Sequence, residues 1–295
     1  MLTVRQLNKH YTDKHVLKEV SFRVPPGSVY GLMGPNGAGK TTLIRTLTRL
    51  TRPDSGTVHF GGEIMEDTHK RFIGYMPEER GLYTGMKVAE HIRYFIDLYD
   101  LDPVSTQRYA DELLERLGIA HATNKRVREL SKGMSQKVQF IITVLHTPRL
   151  LVLDEPFSGL DPSATAVMEE VLSDIRCQHG TTILLSTHRM EQMEHLCESV
   201  LLLNQGQIVA QGPVKELKQT YSQNVVQIDY LGPQPCLCDY PAAEIRANSI
   251  RVVGQDSTYS NAILRKLLDD RVTVERFEHA YPSLREIFLT EVNAN

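Results

Sequence analysis

The chain has 295 residues, a formal net charge of −3 and four cysteines, long enough for one large domain or two unequal ones around a substantial core. That charge excludes nonspecific attraction to nucleic acid or to a membrane surface as the main activity, and no apolar run reaches the roughly 18–20 residues that span a bilayer. The cysteines, at positions 177, 197, 236 and 238, are too few and too scattered for a disulfide scaffold and are expected as ordinary reduced thiols.

The N-terminus, M-L-T-V-R-Q-L, lacks the architecture of a signal peptide. The first 75 residues read as short strands around one strand–loop–helix unit. Gly27–Met33 is apolar and leads into a glycine-rich loop, after which Leu43, Ile44, Leu47 and Leu50 recur at helical spacing. The stretch Arg52 to Gly56 is a turn by composition, and T-V-H-F beyond it suits a strand.

From Val88 a helical block begins and runs to about His146. Val88, Ile92, Phe95, Ile96 and Tyr99 form one stripe, and Leu113, Leu114 and Leu117 a second that Gly118 terminates. An apolar strand L-L-V-L follows, then helix 163–178, strand T-T-I-L-L-S, helix 189–197 and strand V-L-L-L. Strands alternating with helices predict a parallel sheet.

Beyond about Pro213 the character changes. Val226, Ile228 and Tyr230 alternate with polar residues, as do Ile250 and Val252, while Ile263, Leu264, Leu267 and Leu268 suit a helix. Ser283 and Glu286 are spaced as a capping box opening a last helix with Leu284, Ile287, Phe288 and Val292 on one face. Cys236-Leu237-Cys238 is at most half a metal site, because no second pair or His cluster completes it.

Gly34-Pro35-Asn36-Gly37-Ala38-Gly39-Lys40-Thr41 fits G-x-x-x-x-G-K-[ST] between a predicted strand and a predicted helix. Its glycines let backbone N–H groups converge on phosphate oxygens, and the helix start adds a positive dipole end. Lys40 is expected to reach the β- and γ-phosphates and Thr41 to ligate Mg²⁺, with Thr42 completing the phosphate-binding set. The strand L-L-V-L delivers Asp154 and Glu155 at its C-terminal end, where α/β sheets bind ligands. Asp154 would hold the Mg²⁺ hydration shell and Glu155 would polarise the attacking water. A GTPase would also need N-K-x-D; neither Asn8-Lys9 nor Asn124-Lys125 has the required Asp.

The segment Leu130-Ser131-Lys132-Gly133-Met134, placed shortly before that acidic strand, completes a set that resembles the ATP-binding cassette (ABC) family. The resemblance covers residues 1 to about 215. It implies a P-loop NTPase α/β fold: a RecA-like parallel sheet core, an antiparallel β subdomain and an inserted helical subdomain at about 85–147. The expected division is a nucleotide-binding domain over 1–220 and a small C-terminal α+β domain over 221–295.

In that family two nucleotide domains pair head to tail, so Ser131 and Gly133 would bind the γ-phosphate of ATP held by a second copy. Tyr11 sits where an aromatic stacks on adenine, Asp161 ends the turn that crosses the dimer interface, and His188 matches the switch histidine that senses the γ-phosphate. Glu155, His188 and Lys40 are the expected catalytic residues; Thr41, Glu78 and Asp154 are the expected metal set. Two positions depart from the family pattern. In I-G-Y-M-P-E-E-R-G-L-Y, Glu78 replaces a glutamine, so it can ligate Mg²⁺ but cannot donate an amide hydrogen bond. Met134 replaces the glutamine of the family signature.

The finer resemblance, through P-S-L-R-E-I-F-L near the C-terminus, is to the exporter ATPases that include sodium-extrusion and drug-resistance systems. It implies an ATPase subunit, homodimeric, docked from the cytoplasm on a separately encoded membrane permease, with no nucleic-acid partner. The alternatives are a soluble ABC ATPase and an ATP-sensing regulator. The first usually carries two cassettes or a long coiled-coil insertion, absent here, and the second would not need Glu155 and His188.

Overall fold

The structure is a computed structural model and describes residues 2–12, 14–79, 81–222, 225–232, 234–253 and 255–294. Arg80, inside the loop that carries Glu78, lies outside the described residues. The chain opens with β1 (Leu2–Tyr11), β2 (Lys14–Val24) and β3 (Val29–Met33), which leads into helix α1 (Lys40–Leu47). Strands β4 (Ser55–Phe60), β5 (Glu63–Ile64) and β6 (Ile73–Met76) follow, then helices α2 (Val88–Leu98), α3 (Pro103–Arg116) and α4 (Lys132–Val144). Strand and helix alternate through β7 (Leu150–Asp154), α5 (Pro162–His179), β8 (Thr182–Ser186), α6 (Met190–Leu196) and β9 (Ser199–Asn204). After β10 (Gln207–Pro213) and α7 (Val214–Thr220) come β11 (Val225–Leu231), β12 (Ala243–Arg246) and β13 (Ser249–Val253). Helix α8 (Ser257–Asp269), β14 (Thr273–His279) and α9 (Leu284–Ala294) complete the described elements.

Two compact units divide the chain: Met1–Arg189 with Leu196–Ile208, and Met190–His195 with Val209–Asn295. In the first, β2-β1-β4-β5 form an antiparallel sheet, and β9, β3, β8, β7 and β6 lie in that order in a second sheet. Its ladders are parallel from β9 through β6. Every residue of β7 and β8 is buried, as strands covered on both faces must be, which is why they read as unbroken apolar runs. Leu32 and Asp154 both pair with Ser186, and Met76 pairs with Leu153. The C-terminal ends of β3, β8, β7 and β6 therefore lie side by side. Residues scattered from 34 to 188 reach one sheet edge, the place where open α/β sheets bind ligands.

The inserted helices follow their sequence signals. Val88, Ile92 and Ile96 are buried along α2. Asp102 caps α3, its carboxylate accepting the Ser105 N–H at 2.8 Å, and Gly118 at φ +69° turns the chain away after it. Leu50 differs from the expected helical stripe and is 60% exposed. Helix α1 stops at Leu47, and Arg49 takes φ +60°, so Leu50 leaves the helical face that buries Leu43, Ile44 and Leu47.

The second unit is an antiparallel sheet, β12-β13-β11-β14. Val226, Ile228 and Tyr230 of β11 share its core with Ile250, Val252, Ile263 and Leu267, while Leu268 is 57% exposed on the far side of α8. The capping box at α9 is formed: the Ser283 N–H donates to Glu286 at 2.6 Å and the Glu286 N–H to the Ser283 hydroxyl at 3.2 Å. Residues 190–195 belong to this unit because Glu194 accepts the Leu284 N–H at 2.6 Å and pairs with Lys218.

Glu286 also takes a two-pronged contact from Arg251, at 2.7 and 2.8 Å. Burial alone would raise its carboxyl, but Arg251 and Ser283 outweigh burial and hold it below the ordinary glutamate value. With the folded value below the unfolded one, this carboxylate contributes stability above about pH 4.3 and loses it as pH falls through the folded value. Glu286→Gln should cost about 1.5–3 kcal/mol at neutral pH. It should also flatten part of the acid-side decline in thermal midpoint. Equal acid-side slopes for both proteins, measured by circular dichroism melts, would rule this out.

Candidate active site

The loop between β3 and α1 is shaped by glycines whose side-chain positions are already taken. Gly34 sits at φ +154°, and a Cβ there would meet the Leu203 carbonyl at 2.2 Å. Gly39, at φ +108°, precedes α1, and its Cβ would meet the Val16 carbonyl at 2.9 Å. Ala38 is buried beneath the loop. Lys40 folds back over it, donating to the Gly34 carbonyl at 2.7 Å and the Pro35 carbonyl at 3.1 Å.

Above this loop opens a cleft of about 540 Å³. Asn36, Gly37, Gly39, Lys40, Thr41 and Thr42 line one side; Glu78, Asp154, Glu155 and His188 line the other. Lys14 and Val16 of β2 complete it, and neither was anticipated from sequence. Burial lowers the Lys40 pKa, opposed by the charges of Glu155, Asp154 and Glu78. Burial raises that of Asp154, opposed by a hydrogen bond from Ser186, while Glu78 and Glu155 add to the rise. Three carboxylates thus face the two lysines of the cleft, Lys14 and Lys40, leaving an excess of hard oxygen donors that suits Mg²⁺. Among the described residues no group of three or more His, Cys, Asp or Glu is placed to hold a metal ion. Mg²⁺ normally takes one or two carboxylates and completes its shell with phosphate and water, so Thr41, Asp154 and Glu78 fit it as partners of a bound nucleotide.

Glu155 is held on three sides. Its carboxylate accepts the Thr187 hydroxyl at 3.0 Å, the His188 N–H at 2.8 Å and contacts His188 Nδ1 at 2.8 Å. The backbone reaches this position at φ +50°, a left-handed conformation uncommon outside glycine. The last residue of β8 and the two that follow it, Ser186-Thr187-His188, thus supply partners for both Asp154 and Glu155. Only His188 was singled out from sequence, although the preceding serine and threonine follow an apolar strand just as Asp154 and Glu155 do.

The remaining expected residues lie elsewhere. Ser131 is exposed and caps α4, its hydroxyl accepting the Met134 N–H at 3.2 Å. Asp161 is exposed and caps α5, accepting the Ala164 N–H at 2.8 Å. The two caps are neighbours: a Cβ on Gly133 would meet the Gly159 carbonyl at 3.0 Å. Tyr11, at the end of β1, is 43% exposed with Lys9 Nζ 5.4 Å from its ring centre, and pairs across the hairpin with Lys14. None of Tyr11, Ser131, Gly133 and Asp161 lines the cleft.

Two buried amides on α4 tie these segments together, and sequence reasoning missed both. Gln136 donates to the carbonyls of Glu155 and Pro156, at 3.2 and 2.9 Å. One turn on, Gln139 donates to the Pro77 carbonyl, immediately before Glu78, at 2.9 Å. Their only local signal was a spacing of three on α4, a helix that also carries Lys132, Ser135, Lys137 and Thr143. Gln139→Leu should leave the Pro77 carbonyl unpaired, costing about 1–3 kcal/mol, and lower ATP turnover several-fold by loosening the Glu78 loop. Unchanged thermal midpoint and turnover would show that this bond does not position the loop.

Comparison with known proteins agrees with this architecture. Residues 17–158 match the ABC transporter family, and residues 212–292 match the C-terminal domain of ATP-binding protein DrrA1-3-like chains. The chain is 35% identical over 300 residues to an uncharacterized ABC transporter ATP-binding protein, YhaQ, of Bacillus subtilis strain 168, covering 100% of this chain and 99% of that one. It is 35% identical over 235 residues to the Nod factor export ATP-binding protein I of Burkholderia thailandensis, covering 78% and 76%. A solved structure of the ATP binding subunit of an ABC transporter superposes with a TM-score of 0.71 at 32% identity, covering 75% of this chain and 93% of that one. With the phosphate loop, the acidic strand end and the inserted helices all in place, the chain belongs to the ABC transporter family, as an ATP-binding subunit that hydrolyses ATP.

Proposed function

We propose that this chain is the ATPase subunit of an exporter, working as a head-to-tail homodimer on a separately encoded integral membrane permease at the cytoplasmic face. One observation carries the dimer: Ser131 and Asp161 stand exposed outside a cleft that already holds the phosphate loop, Glu78, Asp154, Glu155 and His188. A cap that serves no atom of its own chain's cleft is free to close over the cleft of another. The export direction is supported by the likeness to the Nod factor export ATP-binding protein I. A membrane permease is supported by the match to the ABC transporter family and to the ATP binding subunit of an ABC transporter; no described helix is long and apolar enough to cross a membrane.

In the proposed mechanism ATP lies along the glycine loop, and its phosphates replace the two carbonyls that Lys40 now holds. Mg²⁺ bound with the nucleotide would offset phosphate charge. Glu155, oriented by Thr187 and His188, takes a proton from the attacking water as the terminal phosphoryl group leaves ADP. His188, with 64% of its side chain exposed, stands at the mouth where the γ-phosphate would meet it. Ser131 and the start of α4 on the second copy would donate to the same phosphate, each contact worth about 1–3 kcal/mol. Closure would pass through Gln136 and Gln139 to the Glu78 loop and the helical block, and from there to the permease.

Because two chains share each site, specific ATPase activity should rise with chain concentration through the dimerisation range and then level off. A specific activity independent of concentration, in a chain that sediments as a monomer with ATP present, would contradict the shared site.

A further inference from the structure

Leu237 is buried in the core of the second unit, with Val226, Ile228 and Ile250. Cys236 and Cys238 flank it, and both are exposed. In extended chain, side chains two apart point to the same side, and here the anchor at Leu237 turns both thiols outward together. The Tyr240 N–H donates to the Leu237 carbonyl at 2.9 Å, fixing a turn that begins at the second cysteine. The two Sγ atoms lie 3.2 Å apart. Residues two apart cannot have Cα atoms separated by more than about 7 Å, which is the span a disulfide bridges. A resident metal is the poorer reading, since a structural zinc takes four ligands and no cluster of three or more candidates occurs among the described residues.

We propose that Cys236 and Cys238 are a redox-active dithiol that closes reversibly to an intrachain disulfide by exchange with a small-molecule disulfide. Cys236 attacks first. Its thiol is lowered by the hydrogen bond from Cys238, then by the Cys238 backbone N–H, with the Lys266 ammonium adding. The Cys236 thiolate bonds to one sulfur of the small disulfide, whose S–S bond breaks to release one thiol. Cys238 then gives up its proton and attacks Cys236 Sγ, and the second small thiol leaves. Two S–H bonds of the protein are exchanged for one S–S bond, and the two electrons reduce the small disulfide to two thiols. An exposed, readily reduced bridge of this kind is a labile rather than a structural one. It would place a thiol-redox signal on the domain that the nucleotide cleft does not use.

The full-length chain treated with glutathione disulfide, quenched by alkylation and digested, tests this by mass spectrometry. The peptide holding both cysteines should lose two hydrogens and keep no glutathione. Cys177, exposed and without a neighbouring cysteine in sequence, should keep an adduct and serve as the internal reference. Cys238→Ser should stop at a stable glutathione adduct on Cys236, forming about tenfold or more faster than the one on Cys177. Dithiothreitol should restore both thiols. The proposal is overturned if both thiols of the pair remain alkylatable while Cys177 is modified. It is also overturned if Cys236 in the Cys238→Ser chain reacts no faster than Cys177.

Discussion

Glu155→Gln should bind ATP within a few-fold of the parent affinity and hydrolyse it about 10²–10⁴-fold more slowly, the usual worth of a positioned general base. The substitution fits the site without moving it. Thr187 and His188 now direct three polar groups at the carboxylate. A glutamine keeps one acceptor for the His188 N–H, and the Thr187 hydroxyl can rotate to accept from the new amide. The proton acceptor alone is lost. ATP should then hold two copies together, so sedimentation with ATP and Mg²⁺ should show a stable dimer where the parent protein shows a transient one. Turnover within two- or three-fold of the parent would remove Glu155 from the reaction, since so small an effect is below what a base contributes.

Ser131→Arg should abolish ATP turnover while leaving ATP affinity of the isolated chain nearly intact, because in the proposed head-to-tail dimer the residue serves the other copy's nucleotide. Lys40→Ala should also lose turnover but by a different route, weakening ATP binding by about 10–100-fold as charge-assisted contacts to phosphate are lost. Ser131 also caps α4, and losing a cap costs about 1 kcal/mol, so stability has to be separated from catalysis. Ser131→Asp does this. Aspartate retains the cap but sets a negative charge where the second copy's γ-phosphate would lie. It should keep the parent's thermal midpoint and still lose turnover. If Ser131→Arg weakens ATP binding as much as Lys40→Ala does, the serine contacts nucleotide in its own chain.

The parts legible in the sequence are those written in contiguous residues. The phosphate loop needs glycine where no Cβ fits at positions 34 and 39, and the fully buried strand β7 has to be an apolar run ending where Asp154 meets the cleft. The capping box at Ser283 and the cap at Ser131 are likewise local. What was not legible depends on partners distant in sequence. Gln139 reads as an ordinary polar residue until the Pro77 carbonyl, 62 residues away, is placed against it. Thr187 gains its meaning only when the β7–β8 register sets it beside Glu155. Val16 and Lys14 line the cleft because β2 passes over the glycine loop, which no spacing rule announces. Helix α6 follows the strand–helix alternation of the first unit in sequence, yet residues 190–195 group with the second through Glu194. Leu50 shows the opposite failure: helical spacing continued past the point where Arg49 ends the helix.

The most direct test of a site shared between two chains is the ATPase activity of an equimolar mixture of Ser131→Arg and Lys40→Ala proteins, each inactive alone. In a mixed dimer one site would carry both lesions and the other neither, because its phosphate loop comes from the Ser131→Arg copy and its intact cap from the Lys40→Ala copy. With random pairing and independent sites, the mixture should recover about a quarter of the parent activity. A mixture no more active than the sum of its inactive parts, under conditions where mixed dimers are shown to form, would contradict the shared site.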